Sequence, residues 1–347
     1  MNYDLLQSHT VEIYHLRDHV GRISRIPARS LLKPQRFDLF AKLYYIDNIE
    51  SNKEQALRIY VEHIKAFNPD GREPGRDDKN GVSDFVDAFN QLISRFKQED
   101  FDETQSIVPV DKNGVILDGA HRVAALAYFD RHVVVAQFDD VVSKCDFDYL
   151  YFRNRAMPWS LCDIIALEMT KWLDTLMVAC IWPSVNNNQR RDVVDIIRTQ
   201  HGIAYAKDFK CDLKSLSRLI GYIYRHQEWT MDSDSVMDKA ARVYGRACLS
   251  LVFFTANCSL DQVIKEKESI RSKLGRGKDS LHITDNSIET RDIAQVTLDK
   301  DRILFWTQNT VASRYNTLSF KAKEHWFIFK KKYWLSFKVF IYNLIKK

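Results

Sequence analysis

The sequence predicts a mixed α/β protein, of the α/β or α+β class, with two α/β regions, a helical connector and a basic C-terminal helix. Short apolar runs alternate with amphipathic helical patterns over residues 10–140, and the order strand, helix, strand returns from residue 203. All seven prolines lie at or before Pro183, so the composition changes where the connector is expected. These observations predict four segments: 1–142, 143–200, 201–312 and 313–347.

Hydrophobic periodicity predicts the elements of both α/β regions. In the first region we expect helices at 55–67 and 83–96, a loop at 68–82, and strands at 107–110, 115–117 and 133–138. In the second region we expect strands at 203–207, 249–255, 279–284 and 303–306, and helices at 215–225, 260–274 and 288–298. The connector is expected to be mainly helical. Its stretch 160–182 is predicted to be a buried helix, because charged residues interrupt it too often for a membrane span.

The C-terminal segment 321–347 carries eight lysines and one glutamate among aromatic and aliphatic residues. A basic amphipathic helix of this composition can lie on an anionic membrane surface. It can equally pack on the domain with its lysines in water. Both interpretations stay open.

The amino-acid composition favours some classes of protein and argues against others. A hydrophobic content of 45% and a charged content of 28% are typical of a soluble globular chain. A net charge of +5 carries no nucleic-acid signature, so we do not expect a nucleic-acid partner. The six cysteines show no paired spacing, which favours reduced thiols in the cytoplasm and argues against a zinc site. No signal peptide is recognisable at the N-terminus.

The most informative motif is Asp118-Gly119-Ala120-His121-Arg122, which lies between an apolar run and a helix-forming run. Gly119 permits a tight turn with positive φ. The free N–H groups of the next helix, its dipole and the Arg122 guanidinium together predict a phosphate cradle. Asp118 could cap the helix, bind Mg²⁺ or accept a proton. The alternative is an ordinary turn with a capping Asp, but two cations in the first helical turn favour an anion.

This motif resembles the signature of the ParB/sulfiredoxin-like superfamily, and the resemblance covers residues 10–140. Members bind a nucleotide through these residues, and they include CTP-binding partitioning proteins, sulfinic-acid reductases and free-serine kinases. The kinases use a Glu soon after a Lys-Pro turn as base, whereas Lys33-Pro34 is followed here by Arg36, with Asp38 close by. The reductases use a Cys in the motif, and none occurs here before Cys145, which argues against that chemistry.

A second candidate site lies in the run 267–289, which contains Arg271, His282, Asp285 and Glu289. Over residues 200–300 this pattern weakly resembles nucleoside diphosphate kinases, which implies a small ferredoxin-like domain. The resemblance implies that His282 accepts a phosphoryl group, oriented by a neighbouring carboxylate, while Lys207 and Arg271 neutralise that group. The alternative is a structural His282, with Asp285 as the N-cap of the next helix.

Together these features predict a nucleotide-dependent phosphotransferase that acts on a small hydroxyl compound. The nucleotide is expected to be ATP, ADP or CTP, with Mg²⁺ held at Asp118 and a base supplied by Asp118 or Asp38. Its phosphates are expected at one group of residues: Gly119, His121, Arg122 and Arg36. The basic tail would suit work on cell-envelope polysaccharide precursors, by a cytoplasmic protein peripheral to the inner membrane.

Two other classes of function stay open. The first is a non-enzymatic ParB-like module, a nucleotide-gated switch that binds DNA or a protein partner. It is favoured by Arg36, which stands where the kinases carry Glu. The second is a glycan-assembly transferase that uses a sugar nucleotide. The carboxylate pairs Asp146/Asp148 and Asp232/Asp234 have the spacing that such enzymes use for a metal ion.

Overall fold

The computed structural model describes residues 2–72 and 81–307, with side chains of the last helix described to residue 303. The chain separates into two compact units, which divide between Leu173 and Asp174. The division falls inside the predicted connector 143–200, so that segment is shared between the units. The predicted C-terminal helix at 313–347, including the basic segment 321–347, lies outside the described residues.

Unit 1 contains a three-stranded sheet of β1 (Gly21–Pro27), β2 (Val108–Val110) and β3 (His132–Phe138) in the order β1-β3-β2. The central strand β3 pairs antiparallel with β1 and parallel with β2. Its sequence is rich in valine and almost fully buried, as expected for a strand covered on both faces. The helices of this unit are α1 (Ser8–Ile13), α2 (Phe37–Asn48), α3 (Lys53–Phe67), α4 (Val82–Gln98), α5 (Ala120–Tyr128), α6 (Tyr149–Asn154) and α7 (Trp159–Trp172).

The predicted strand at 115–117 is reduced to a single antiparallel bridge between Ile116 and Val110. A tight turn returns the chain alongside β2. Asp111 accepts the N–H groups of Asn113 and Val115, both at 2.8 Å, and Gly114 takes a positive φ. This buried, hydrogen-bonded segment leads directly into Asp118 and so fixes where α5 begins.

Unit 2 contains a four-stranded sheet of β4 (Leu176–Ile181), β5 (Tyr205–Phe209), β6 (Leu249–Thr255) and β7 (Leu281–Ile283). The strand order is β5-β6-β4-β7, and every neighbouring pair is antiparallel. Its helices are α8 (Asn187–His201), α9 (Leu213–Ile223), α10 (Ser233–Val243), α11 (Leu260–Leu274), α12 (Ser287–Leu298) and α13 (Lys300–Thr307). Since α8 joins β4 to β5 and α11 joins β6 to β7, the chain follows a β-α-β-β-α-β course with α9 and α10 inserted at its middle.

The two faces of this sheet pack against different helices. One face forms an apolar core with α8 and α11, whose members include Ala179, Ile197, Phe254, Ile270 and Ile283. The opposite face carries one row of residues across all four strands: Lys207, Leu251, Cys180 and His282. His282 therefore points away from the apolar core, because side chains alternate along a strand.

Two further elements differ from the sequence prediction. The predicted helix at 160–182 ends at Trp172, and β4 follows as a completely buried strand. A short apolar run does not reveal by periodicity whether it is a helix or a buried strand. The predicted strand at 303–306 lies instead in α13, whose start is marked by Asp299 accepting the N–H of Asp301 at 2.8 Å. No helix of the described ranges has an apolar stretch that could cross a bilayer.

Candidate functional site

The first candidate site is the N-terminus of α5, and its geometry depends on Gly119. This residue has φ +85°, as the turn prediction requires, and an added Cβ would lie 3.0 Å from Nη2 of Arg122 and 3.2 Å from Val108. The first-turn N–H groups of α5 have no carbonyl one turn earlier to bond to. Asp118 does not cap them, because its hydrogen bond goes to Arg122. The helix therefore presents its N-terminal dipole without a side-chain cap.

Asp118 and Arg122 form an ion pair one helical turn apart, with Oδ2 and Nη2 separated by 3.2 Å. Their side chains are 19% and 18% exposed, so both reach the surface. Of the three roles left open for Asp118, the cap is wrong. The carboxylate instead holds the guanidinium close to the helix N-terminus, where an incoming anion would meet it.

His121 is held by α3. Its Nε2 lies 2.9 Å from Oη of Tyr60, and that hydroxyl donates to the carbonyl of Phe85 at 3.0 Å. A tyrosine hydroxyl has one proton, so Nε2 of His121 must be the donor in its contact with Tyr60. The ring of Phe89 meets the imidazole edge-on at 4.9 Å. These contacts fix His121 in one orientation at the N-terminus of α5.

A cavity of about 230 Å³ lies in front of this helix N-terminus, lined by the motif residues 118–122 and by apolar side chains of α4. Sites for drug-sized ligands usually span roughly 300–1,000 Å³. The cavity is therefore large enough for a phosphate group at the helix N-terminus.

The structure corrects the roles expected for Arg36 and Asp38. Arg36 donates to both carboxylate oxygens of Asp38, at 2.9 and 3.0 Å, and to the carbonyl of Ile116 at 2.7 Å. Lys42 donates to Asp38 at 2.9 Å. Burial raises the pKa of Asp38, but Arg36 and Lys42 outweigh it and hold that pKa far below its usual value. Asp38 is only 1% exposed, so it is a buried structural anion and neither a base nor a neighbour of solvent.

The second candidate site is a cavity of about 780 Å³ in unit 2, which we call the large cavity. Its wall combines the end of α9, one face each of α10 and α11, and the start of α12. Basic, acidic and aromatic side chains line it: Lys239, Arg242, Lys267, Arg271 and Lys278, then Asp238, Glu268, Asp279, Asp285 and Glu289, then Tyr224 and Trp229. His282 lies on the same wall.

His282 is the middle residue of β7 and is 6% exposed. Its Nε2 lies 3.0 Å from Oε1 of Glu289, close enough for an ion pair, although the ring is turned away from good hydrogen-bond alignment. The ring of Tyr224 meets the imidazole edge-on at 5.2 Å. The sequence prediction of a carboxylate beside His282 is confirmed for Glu289.

Glu289 is fixed at the start of α12. Its Oε2 accepts the N–H of Asp285 at 2.9 Å, and its own N–H donates to Asn286 at 2.8 Å. The N-cap is therefore Asn286, and the alternative that placed Asp285 there is wrong. Burial raises the pKa of Glu289, but contacts with His282, the Asp285 amide and Lys267 outweigh it, so that the pKa lies below its usual value. The carboxylate is ionised beside the imidazole.

The predicted cation Arg271 reaches the large cavity, but three of its N–H groups are already used. It donates to the carbonyl of Leu281 at 3.0 and 2.9 Å and to Glu268 at 2.6 Å. Lys267 likewise bridges the carbonyl of Ile283 and the carboxylate of Asp285, both at 2.8 Å. These side chains tie α11 to β7 on either side of His282, and Arg271 keeps two N–H groups for a ligand.

Lys207 does not join this site. It lies on β5, whereas His282 lies on β7 at the opposite edge of the sheet, with β6 and β4 between them. Three strand spacings separate the two backbones by about 14 Å. The Lys207 ammonium lies 4.9 Å from the ring centroid of Phe209. The expected phosphate role of Lys207 beside His282 is therefore wrong for this cavity.

Sequence reasoning missed the cations of α10. Lys239 donates to the carbonyl of Lys278 at 2.9 Å and pairs with Asp279, which also accepts from Arg242 at 3.0 Å. Burial raises the pKa of Asp279, but the two cations outweigh it and lower that pKa. The only sequence signal was the basic face of an amphipathic helix, which predicts a solvated surface equally well.

Comparison with known proteins adds no relative: no family model, no curated protein and no solved structure matches this chain. The class of protein is therefore defined by its own architecture, which is mixed α/β with two small sheets. Each unit carries a cavity that contains a histidine and an arginine.

Proposed function

We propose that this chain is a nucleotide-dependent phosphotransferase that acts on a small hydroxyl compound, with His282 as the carrier of the phosphoryl group. The observation that carries the proposal is the contact of His282 with the ionised Glu289 on the wall of the large cavity. The cavity volume of about 780 Å³ lies in the range of sites for nucleotide-sized ligands.

The pair defines how the imidazole would react. With a proton on Nε2 facing Glu289, the lone pair of His282 is on Nδ1, which becomes the nucleophile. A bond from Nδ1 to the terminal phosphorus forms while the bond to the bridging oxygen breaks, and the nucleotide leaves with that electron pair. The ring gains positive charge in this step, and the Glu289 carboxylate stabilises it.

In the second step the acceptor hydroxyl attacks the phosphorus, and the bond between nitrogen and phosphorus breaks. The hydroxyl proton passes to a carboxylate of the cavity. Asp285 is the best placed, because its side chain is 51% exposed and lies three residues after His282, on the wall of the same cavity. Its partner Lys267 would then neutralise the transferred group.

The rest of the large cavity suits the remaining parts of a nucleotide. Arg242 keeps 57% of its side chain exposed, and Lys278 lies beside it on the wall, so both can meet phosphate oxygens. Tyr224 and Trp229, with ring centroids 5.4 Å apart, offer an aromatic surface for a base.

The carboxylates fit Mg²⁺ better in the large cavity than at Asp118. Mg²⁺ usually binds through one or two carboxylates together with substrate phosphates, where it neutralises their charge. Glu268 and Asp285 are half-exposed and face the cavity. Asp118 is a single carboxylate, whereas the large cavity offers two.

Unit 1 supports a second candidate function, a non-enzymatic nucleotide-binding module that engages DNA or a protein partner. The observation that favours it is the α5 N-terminus without a side-chain cap, with Arg122 held beside it and a cavity sized for phosphate.

The same residues support our proposal that unit 1 is a ParB/sulfiredoxin-like domain. The all-antiparallel order β5-β6-β4-β7 supports a ferredoxin-like domain in unit 2. Work on envelope polysaccharide precursors at a membrane surface stays a proposal.

The decisive experiment is phosphoryl labelling of the full chain with ATP, GTP or CTP carrying a labelled terminal phosphate, in Mg²⁺. We expect an acid-labile, base-stable phosphohistidine in wild type, its loss in His282→Gln, and its retention in His226→Gln. His226 is an exposed histidine two residues after Tyr224, which lines the large cavity, so it is a matched control. Absence of label in wild type with all three nucleotides would reject the phosphotransferase. Nucleotide binding that persists without label and is lost in Arg122→Ala would favour the binding module.

A further inference from the structure

A separate side-chain cluster in unit 2 joins His201, Cys258 and Glu266. One ligand atom of each residue lies within 4.8 Å of the other two, and Nε2 of His201 is 2.8 Å from Oε2 of Glu266. None of the three lines the large cavity. The cluster is therefore not a part of the phosphotransferase site proposed above.

Rigid elements place these three side chains. His201 is the last residue of α8, and its ring stacks on Phe254 of β6 at 5.0 Å. Cys258 immediately precedes Ser259, which caps α11. Glu266 lies on the second turn of α11. The cluster thus links the C-terminus of α8 to the start of α11, and both helices pack on the same face of the sheet.

The imidazole of His201 presents Nε2 to the cluster. The residue is 8% exposed, and Nε2 is the ring nitrogen that lies 2.8 Å from Glu266. Gln262 donates to Oε1 of Glu266 at 3.2 Å and so holds the carboxylate toward the histidine.

We propose that His201, Cys258 and Glu266 bind one Zn²⁺-like ion through a ring nitrogen, a thiolate and a carboxylate oxygen. A donor set of nitrogen, sulfur and oxygen suits zinc, whereas Mg²⁺ and Ca²⁺ prefer oxygen alone. Binding forms a bond between sulfur and metal, and the thiol proton of Cys258 goes to solvent. With three protein ligands, the fourth position of a tetrahedral ion is left for water.

The separations are compatible with such an ion. Metal bonds of about 2.0–2.3 Å in a tetrahedron place the ligand atoms about 3.3–3.7 Å from each other. His201 and Glu266 would separate by about half an ångström from their present contact, and the thiol would approach by side-chain rotation. Cysteine spacing does not reveal this site, because Cys258 is its only thiol and His201 lies on another helix, more than fifty residues earlier in the sequence.

The test is metal binding by the full chain after removal of bound metal with a chelator. Titration with Co²⁺ should give one equivalent per chain and a cobalt–thiolate charge-transfer band, which Zn²⁺ then displaces. The band should vanish in Cys258→Ser and persist in Cys145→Ser, a substitution at an exposed thiol. Zn²⁺ should also raise the Tm of wild type and of Cys145→Ser, but not of Cys258→Ser.

His201→Gln provides a second variant, because glutamine keeps a polar group beside Glu266 while it removes the imidazole. We expect Co²⁺ binding to weaken at least tenfold in this variant. The proposal is overturned if wild type shows no cobalt–thiolate band, or if Cys258→Ser keeps the band. If His201→Gln does not fold, the comparison of the two cysteine variants decides alone.

Discussion

The two cavities are built in different ways. The charged groups of the cavity at α5 come from one short run of sequence, in which the glycine turn, the helix N-terminus and the Asp118–Arg122 ion pair lie within five residues, while α4 supplies its apolar wall. The large cavity is assembled from α9, α10, α11, β7 and α12, and its charged side chains are braced by one another. A local motif can be recognised from sequence, whereas an assembled cavity depends on how the elements pack.

The largest effect is expected outside both cavities, at the buried ion cluster of unit 1. Asp38→Ala leaves Arg36 and Lys42 buried without their shared carboxylate, so we expect the free energy of unfolding to fall by about 3–5 kcal/mol. Urea unfolding measures this. The control Asp100→Ala removes an exposed partner of Arg131 and should cost less than about 1 kcal/mol. Equal losses of unfolding free energy in the two variants would show that the buried Asp38 cluster stabilises the fold no more than an exposed ion pair does.

The pH dependence of stability checks the same carboxylate. Burial raises the pKa of Asp38, but Arg36 and Lys42 outweigh it, so that the folded-state pKa lies far below the usual value. A lowered pKa stabilises the fold above the unfolded-state pKa, near 4, and this stabilisation is lost as the pH falls toward the folded-state pKa. The difference in stability between wild type and Asp38→Ala should therefore shrink below about pH 4. A difference that stays constant down to strong acid would contradict this assignment.

The next effect concerns the chemistry of the large cavity. Glu289→Gln keeps the shape of the side chain but removes the charge that faces Nε2 of His282, so phosphorylation should slow by about a hundredfold. Single-turnover labelling gives the rate, and calorimetry checks that nucleotide affinity changes much less. The control Glu228→Gln alters an exposed carboxylate on the 3-10 helix Glu228–Met231, which follows α9. Equal rates in wild type and Glu289→Gln would show that the Glu289 carboxylate does not assist phosphorylation of His282.

A smaller effect tests the local motif. Gly119→Ala forces an alanine to φ +85° and places its Cβ against Arg122 and Val108, so we expect a loss of about 2 kcal/mol. The control Gly275→Ala has a similar left-handed backbone, with φ +66° and ψ +19°, but its Cβ would meet no atom within 4 Å. It should cost only about 1 kcal/mol. Thermal unfolding of both variants separates backbone strain from crowding at α5, and equal losses would exclude crowding.

The sequence predicted some elements well because their patterns are local. β6 and α11 have the predicted bounds, and Gly119 has the positive φ that its turn requires. β4 was missed because a fully buried strand and a buried helix share one apolar pattern. A carboxylate beside His282 was predicted without a commitment to Glu289. The α10 cations were not predicted, since only the packing of α10 near β7 brings them there. Arg36 and Lys42 lie within four residues of Asp38, but the local pattern does not indicate that all three side chains are buried.

The smallest expected effect concerns the arginine that would bind phosphate in each cavity. Arg122→Ala removes the guanidinium that Asp118 holds at α5, and pyrophosphate binding there should weaken about tenfold. Arg242→Ala should weaken ATP binding at the large cavity and leave the α5 site unchanged. Arg22→Ala, at an exposed arginine of β1, is the control for loss of one positive charge. Calorimetric titrations of the three variants at two salt concentrations separate direct contacts with phosphate from long-range attraction by net charge. Added salt screens the long-range attraction more strongly than the direct contacts. If Arg22→Ala and Arg122→Ala weakened pyrophosphate binding equally, Arg122 would contribute only its positive charge. The α5 motif would then not be a specific phosphate-binding site.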